Sequence, residues 1–260
     1  MRCFYREKRY YSGNYLEIDI YPVFGRAGQR RKRYKETSEC QKELNRKNAE
    51  KKLIRLMNTN FTTEDYKIEL TYRKNTLPED DDAALKELRN FIRRLKRLRK
   101  KKGLPELKYI AATEKGTRKG RYHHHIVISG DLGIKEIRNL WARGIVHFSP
   151  LEFDKDGIEA LARYHMKEPI GSKFFQASRN LRQPEVETRD EAFSQKTVNA
   201  MAKMCNDPAL WEGIYDGYTF VSAEPFYNDY NRHQYLTVKM FIPPNKKKRS
   251  VNVGKTVCKC

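Results

Sequence analysis

Residues 120–128, GRYHHHIVI, combine a strand-like pattern with half of the six histidines in the chain. Successive side chains of a strand point to opposite faces, so His123 and His125 share one face while His124 points to the other. Two imidazoles side by side pack poorly in a core but form a good chelating pair for a divalent metal. The stretch therefore predicts a strand that carries a metal-binding pair, and an incidental histidine cluster is the alternative.

The preceding strand, predicted at residues 107–114, supplies a third candidate ligand. If residues 115–120 close a simple hairpin, Glu114 faces Arg121, and residues opposite one another share a face. Glu114 then lies on the same face as the histidine pair. A one-residue change in register would remove it from that face. Two histidines and one carboxylate on adjoining strands predict a compact site with positions left open for substrate.

Cationic residues surround this predicted site and suit a phosphodiester substrate better than a cationic metabolite. We predict DNA contacts for the following four residues: Lys115, Arg118, Lys119 and Arg121.

Residues 163–167, RYHMK, supply a candidate nucleophile. On a helix Tyr164 and Lys167 are three residues apart and share a face. A tyrosine phenol has a pKa of about 10, and nearby positive charge favours the phenolate. Attack on phosphorus would form a covalent phosphotyrosine, and Lys167 could stabilise the developing charge. Tyr-x-x-Lys alone is a weak signal among sixteen tyrosines, and it gains weight because it follows the histidine strand.

Composition agrees with a nucleic-acid partner. The 260 residues include 54 Lys and Arg against 33 Asp and Glu, a formal charge of +21. A surface that neutralises phosphates gains free energy by releasing condensed counterions. A basic protein with a well-solvated surface is the alternative. No run of eighteen apolar residues predicts a membrane span, the first residues lack a secretory pattern, and five scattered cysteines indicate a reducing compartment.

Periodicity outward from the histidine strand predicts an α+β fold. Residues 66–72 alternate as a strand, and a helix follows the acidic residues 79–82 and stops at Gly103. Interleaved strands and helices around a hairpin predict a central antiparallel sheet flanked by helices, with N- and C-terminal extensions. Further predicted elements are a strand at 15–21, helices at 38–57, 135–142, 157–167 and 194–204, and strands at 145–148, 218–224 and 235–242.

We predict four segments along the chain. They are a basic N-terminal arm and helix at 1–60, an endonuclease domain at 61–170, an extension packing on that domain at 171–245, and a disordered basic tail at 246–260.

Three motifs in this order resemble those of HUH endonucleases: residues 70–72 (LTY), Glu114 with residues 123–125 (HHH), and residues 164–167 (YHMK). Within that superfamily the chain is most similar to single-tyrosine rolling-circle replication initiators, the Rep proteins of plasmids and small phages. The resemblance covers residues 66–168. His124 departs from the aliphatic or aromatic middle residue of the family motif, but its side chain faces away from the predicted metal.

The resemblance implies a central antiparallel sheet of the RNA-recognition-motif type that carries the histidines. It implies a nick in single-stranded or hairpin origin DNA that depends on Mg²⁺ or Mn²⁺, held by Glu114, His123 and His125. Tyr164 would retain the 5′-phosphate and leave a free 3′-OH for priming. Tyr72, in the first motif, joins the predicted DNA contacts.

The resemblance also implies partners. We expect a host helicase and polymerase, because residues 254–256 (GKT) lack the upstream glycine of a phosphate-binding loop and predict no ATP site. We expect a cytoplasmic protein of a bacterial host, encoded by a plasmid or phage, with no membrane partner.

Other functions remain open at this point. A relaxase or single-tyrosine transposase shares the chemistry, and two histidines with one carboxylate also suit an Fe(II) oxygenase. A non-enzymatic nucleic-acid-binding regulator would leave the histidine cluster without a catalytic role.

Overall fold

The computed structural model describes residues 3–25, 39–116, 120–166, 170 and 174–243. These residues form two compact units, and the chain passes between them after residues 27 and 185. We call the unit formed by the two ends of the chain the terminal unit and the other the central unit. The basic stretch at 26–35 and the basic tail at 246–260 lie outside the described residues.

Strands and helices alternate along much of the described chain. In order they are β1 (Cys3–Ser12), β2 (Tyr15–Phe24), α1 (Glu39–Asn60), β3 (Tyr66–Leu70), α2 (Asp81–Lys101), β4 (Tyr109–Lys115), β5 (Tyr122–Ile128), α3 (Ile134–Trp141), β6 (Val146–Pro150), α4 (Glu159–His165), β7 (Gln176–Ala177), β8 (Glu185–Asp190), α5 (Gln195–Lys203), α6 (Pro208–Ile214), β9 (Thr219–Asn228) and β10 (His233–Phe241). None of the described helices is long and apolar enough to cross a membrane.

The central unit is built on a five-stranded antiparallel sheet in the order β6-β3-β5-β4-β7. The histidine strand β5 is the middle strand, with β3 on one side and β4 on the other. This arrangement confirms the predicted α+β fold with a central antiparallel sheet flanked by helices.

Helices cover both faces of the central sheet. On one face, Phe91 of α2 and Trp141 of α3 pack with Ile126 of β5 in one buried cluster. On the other face, α1 and α4 form a second buried cluster with Val127. Neighbouring residues of β5 therefore enter different cores, because strand side chains alternate between faces.

The acidic start of α2 follows the sequence prediction. The Asp80 side chain accepts a hydrogen bond from the backbone N–H of Ala83 at 2.7 Å, which caps the helix, and Asp81 and Asp82 occupy its first turn. Carboxylates here interact favourably with the positive end of the helix dipole. Gly103 has a φ of +67°, a left-handed conformation that ends the helix.

The terminal unit departs from the predicted segments. Its sheet has the order β8-β1-β2-β10-β9, so strands from both ends of the chain pair in it. Ile18 lies opposite Val238, and both pack with Trp211 of α6. The predicted 1–60 arm is therefore divided, since β1 and β2 belong to this unit and α1 to the central unit. Alternation at residues 15–21 predicted a strand, but a local pattern cannot reveal a partner more than 200 residues away.

A glycine permits the close approach between β3 and the connection before β6. A β-carbon at Gly144 would overlap the carbonyl oxygen of Thr71, whose backbone N–H donates to Ile145 at 3.0 Å. We expect Gly144→Ala to lower the free energy of unfolding by about 1–3 kcal/mol through overpacking. Thermal or urea unfolding measures this loss.

Gly213 of α6 is the matched control for this substitution, since a β-carbon there has no atom within 4 Å. Gly213→Ala should be neutral or stabilise by up to about 1 kcal/mol, because alanine is the better helix former. Equal unfolding midpoints for the two variants would contradict the close approach at Gly144.

Candidate functional site

The register of β4 and β5 brings the predicted residues to one face. Glu114 lies opposite His123, and Ala112 lies opposite His125. Glu114, His123 and His125 therefore share a face, as the hairpin predicted. The pairing differs from the prediction by two residues, which preserves the face. The Gly116 N–H donates to the Arg121 carbonyl at 2.9 Å, so the strand pairing runs further toward the link than expected.

A second carboxylate, which the sequence analysis missed, joins this face from the other side. Glu69 of β3 lies opposite His125. Its Oε1 atom is 3.0 Å from Nδ1 of His123, while Oε2 of Glu114 is 3.2 Å from Nε2 of His125. The alternation of residues 66–72 places Glu69 on the polar face of its strand. The sequence does not show that this strand pairs with β5.

His124 has a different environment from its two neighbours. It is fully buried, with Nε2 at 2.6 Å from the Tyr72 hydroxyl and Nδ1 at 2.8 Å from Oγ1 of Thr113. Its ring also meets the edge of Trp141. Burial lowers the pKa of His124 to about 3, so the ring is neutral and structural.

This burial changes the role assigned to Tyr72. Only 6% of Tyr72 is exposed, and its hydroxyl is engaged with His124. The structure therefore places Tyr72 in the core and not on a surface open to DNA. The alternation of its strand did not reveal this, because Tyr72 follows the end of β3, where the period-two rule no longer applies.

Tyr164 lies beside the histidine face. Its ring packs edge-to-face on His125, with 4.9 Å between ring centroids, and 47% of the residue is exposed. Burial raises the pKa of Tyr164, and the carboxylates of Glu69 and Glu114 raise it further. These surroundings oppose the phenolate, contrary to the expectation from nearby cations. Lys167 lies outside the described residues, so its predicted role stays a prediction.

Contacts with α1 hold α4, and so Tyr164, in place. The Ile158 N–H donates to Oδ1 of Asn58 at 3.2 Å just before the helix begins. Arg163 forms ion pairs with Glu159 on its own helix and with Glu50 on α1. The helix that carries Tyr164 is therefore anchored at both of its ends.

His165 is a buried polar residue next to the same face. Both of its ring nitrogens lack a hydrogen-bond partner among the described residues, and its ring centroid is 5.7 Å from that of His125. Burial, with smaller contributions from His125 and Lys67, lowers the pKa of His165 to about 3. Buried polar groups are normally satisfied, so these two nitrogens leave room for a water or an ion.

A cleft of about 620 Å³ opens beside Tyr164 between β3, β6 and α4. Lys67 contributes the cation of its wall, and Pro150, Phe153 and Leu161 contribute apolar surface. A cationic group beside apolar and aromatic side chains suits a nucleotide, which has a charged phosphate and an apolar base face.

The predicted DNA contacts divide between the two faces. Arg121 is exposed and lies opposite Gly116, on the face of His123. Lys115 is exposed but lies opposite Tyr122, with its ammonium 5.2 Å from the centre of that ring, on the other face. Arg118 and Lys119 lie outside the described residues.

The donor set of this face fits a divalent cation. It offers two imidazoles and two carboxylates, and burial lowers the pKa of His125, which favours the neutral imidazole that metal binding requires. Within the described residues, no three of these side chains are already gathered around one point, because each imidazole is paired with a carboxylate. Coordination by three of them requires exchange of these ion pairs for bonds to the ion.

The family comparison agrees with this site. Residues 65–169 match the family of the replication-associated protein ORF2. The matched residues are about two fifths of the chain and nearly the same as the 66–168 covered by the resemblance to rolling-circle initiators, which the match confirms. Neither the curated proteins nor the solved structures provide a match to this chain.

The replication-associated segment contains all the residues of the candidate site. Glu69, Glu114, His123, His125 and Tyr164 lie within it. It extends from β3 into the chain just after α4, so it holds most of the central sheet and none of the strands of the terminal unit.

The contrast between His124 and His123 predicts different responses to the same substitution. We expect His124→Leu to lower the free energy of unfolding by about 2 kcal/mol, because it leaves the hydroxyls of Tyr72 and Thr113 buried without a partner. His123→Leu, at a half-exposed position, should change it by no more than about 0.5 kcal/mol. Urea denaturation of the two variants compares them. A larger loss for His123→Leu would contradict the structural role of His124.

Proposed function

We propose that this protein is a metal-dependent endonuclease and ligase for single-stranded DNA that nicks a replication origin and starts rolling-circle replication. The contact between Tyr164 and His125 carries this proposal. It places an accessible phenol at the edge of a face with two imidazoles and two carboxylates.

Four residues would hold a Mg²⁺ or Mn²⁺ ion. His123, His125 and Glu114 are the ligands that both the sequence and the family resemblance favour, and Glu69 is a second carboxylate in reach of His123. Such an ion, when bound, polarises the scissile phosphate. It would also offset the two negative charges that raise the pKa of Tyr164.

Tyr164 would act as the nucleophile. Its oxygen bonds to phosphorus as the bond from phosphorus to the 3′ oxygen breaks. The phenol loses its proton to solvent, which reaches this half-exposed side chain, and the departing 3′ oxygen takes up a proton. The products are a 5′-phosphotyrosine and a free 3′-OH. Attack by a 3′-OH on the phosphotyrosine reverses the step and joins the strand.

The surrounding residues would position the strand. Lys67 in the cleft and Arg121 at the end of β5 offer cations for phosphates on either side of the scissile bond. Lys167, Arg118 and Lys119 are further candidates from the sequence. The apolar wall of the cleft would receive a base next to Tyr164.

The free 3′-OH gives this chemistry its use in replication, since a polymerase can extend it. The substrate would be single-stranded or hairpin origin DNA, with a host helicase to open the duplex and a host polymerase to extend the primer. A relaxase or single-tyrosine transposase would use the same residues on a different DNA site.

Tyr164→Phe should abolish the covalent protein–DNA adduct and leave DNA binding unchanged, because only the nucleophilic oxygen is removed. Adduct formation on single-stranded origin oligonucleotides, resolved by denaturing gel, measures this. Tyr230→Phe is the matched control, as Tyr230 is 98% exposed on the terminal unit and should keep full activity. An adduct that persists in Tyr164→Phe would assign the nucleophile elsewhere.

Metal dependence should reside in the two carboxylates. We expect Glu114→Gln and Glu69→Gln each to raise the Mn²⁺ concentration for half-maximal nicking by about tenfold or more. Glu64→Gln, at an exposed position before β3, should leave it unchanged. Electron paramagnetic resonance of free Mn²⁺ measures binding independently of activity.

Removal of the metal separates this proposal from a non-enzymatic regulator. EDTA should abolish nicking and leave DNA binding in place. Nicking that continues in EDTA, or a protein that binds origin DNA but never forms an adduct with Mn²⁺ present, would contradict the proposal.

A further inference from the structure

The outer side of α2 carries a continuous row of cations. Its five members follow one another at intervals of three or four residues, so they form one stripe along the helix, and all are exposed: Lys86, Arg89, Arg93, Arg97 and Lys100. We call this row the α2 stripe. With a rise of 1.5 Å per residue it is about 21 Å long.

None of the α2 stripe cations has an ion-pair partner among the described residues. Cations at its inner edge do have partners. Arg99 is buried and pairs with Asp131 at 2.6 Å, and Lys102 pairs with Glu136. Beyond Glu87, which pairs with Arg143, the helix has no carboxylate of its own.

The helix α1 shows a different use of charge. Its exposed cations Lys42 and Arg46 pair with Glu39 and Glu43, each three residues earlier. Like charges three or four residues apart destabilise a helix, whereas opposite charges stabilise it. The α2 stripe therefore holds a repulsive arrangement that nothing in the described structure relieves, and a polyanion would relieve it.

The α2 stripe lies away from the candidate nicking site. Buried residues of α2 pack on the face of β5 that holds His124 and Ile126, while His123 and His125 point to the other face. A ligand on the stripe would not compete with a strand at Tyr164.

We propose that the α2 stripe binds the phosphate backbone of duplex DNA. Phosphates on one strand of a duplex advance about 3.4 Å along its axis, so the stripe matches about six of them. Its cations are at the tips of long side chains on a rigid helix, which suits sequence-independent contact with a regular backbone. The proposal goes beyond nicking and does not require it. The duplex beside an origin would be held on one side of the central sheet while the single strand reaches the other.

The test compares two triple variants of the full chain that lose the same charge. Arg89→Gln/Arg93→Gln/Arg97→Gln removes three cations of the stripe, and Lys42→Gln/Arg46→Gln/Lys47→Gln removes three exposed cations of α1. Glutamine forms helices about as well as arginine or lysine, so both helices should persist. Fluorescence anisotropy with a 25-base-pair duplex of arbitrary sequence, in EDTA and over a salt series, gives the affinity and its salt dependence.

We expect the α2 triple variant to bind duplex at least about tenfold more weakly. The slope of log affinity against log salt should be less steep by about 2 to 3, close to one for each phosphate that the variant no longer neutralises. The α1 triple variant should keep both values near those of the unchanged chain. Adduct formation on a single-stranded oligonucleotide should be the same in all three proteins.

Several outcomes would overturn the proposal. They are an unchanged duplex affinity in the α2 variant, an equal loss in the α1 variant, and stripe-dependent binding to phosphatidylglycerol vesicles with no stripe-dependent binding to duplex. If the α2 triple variant does not fold, Arg93→Gln alone decides the question. It should reduce the slope by about one, and an unchanged slope would exclude the stripe.

Discussion

The antiparallel pairing of β5 with a strand on each side is the constraint on which the candidate site depends. Backbone hydrogen bonds set which residues lie opposite one another, and the period of two sets which face they share. This pairing places Glu114 and Glu69 on the two flanks of the histidine pair. A slip of one residue on either side would send a carboxylate into the core and a buried residue to the surface, and the cost of both errors protects the register.

The inner face of β5 reinforces this register. His124 is held between the hydroxyls of Tyr72 and Thr113, which come from the strands on its two sides. A buried polar network stabilises a structure only when each of its members is satisfied, and here both ring nitrogens have a partner. The three consecutive histidines therefore divide their work. The middle one stabilises the sheet, and the outer two face the site.

Electrostatics separates the two sides of the central unit. The site face carries carboxylates beside its imidazoles, and these raise the pKa of Tyr164. The outer side of α2 carries cations that have no partners among the described residues. The net charge of +21 is thus not spread evenly, because carboxylates are concentrated where an ion would bind and are missing along one helix.

Local patterns in the sequence determined much of this protein. Alternation predicted that His123 and His125 share a face, and the acidic start and glycine stop predicted α2, because side-chain direction and helix capping depend on neighbouring residues. Only the tertiary structure decided which strands pair. It placed Glu69 beside His123, buried Tyr72 against His124, and joined the two ends of the chain in one sheet. These outcomes depend on hydrogen bonds and packing between residues far apart in sequence, and no local period records such contacts.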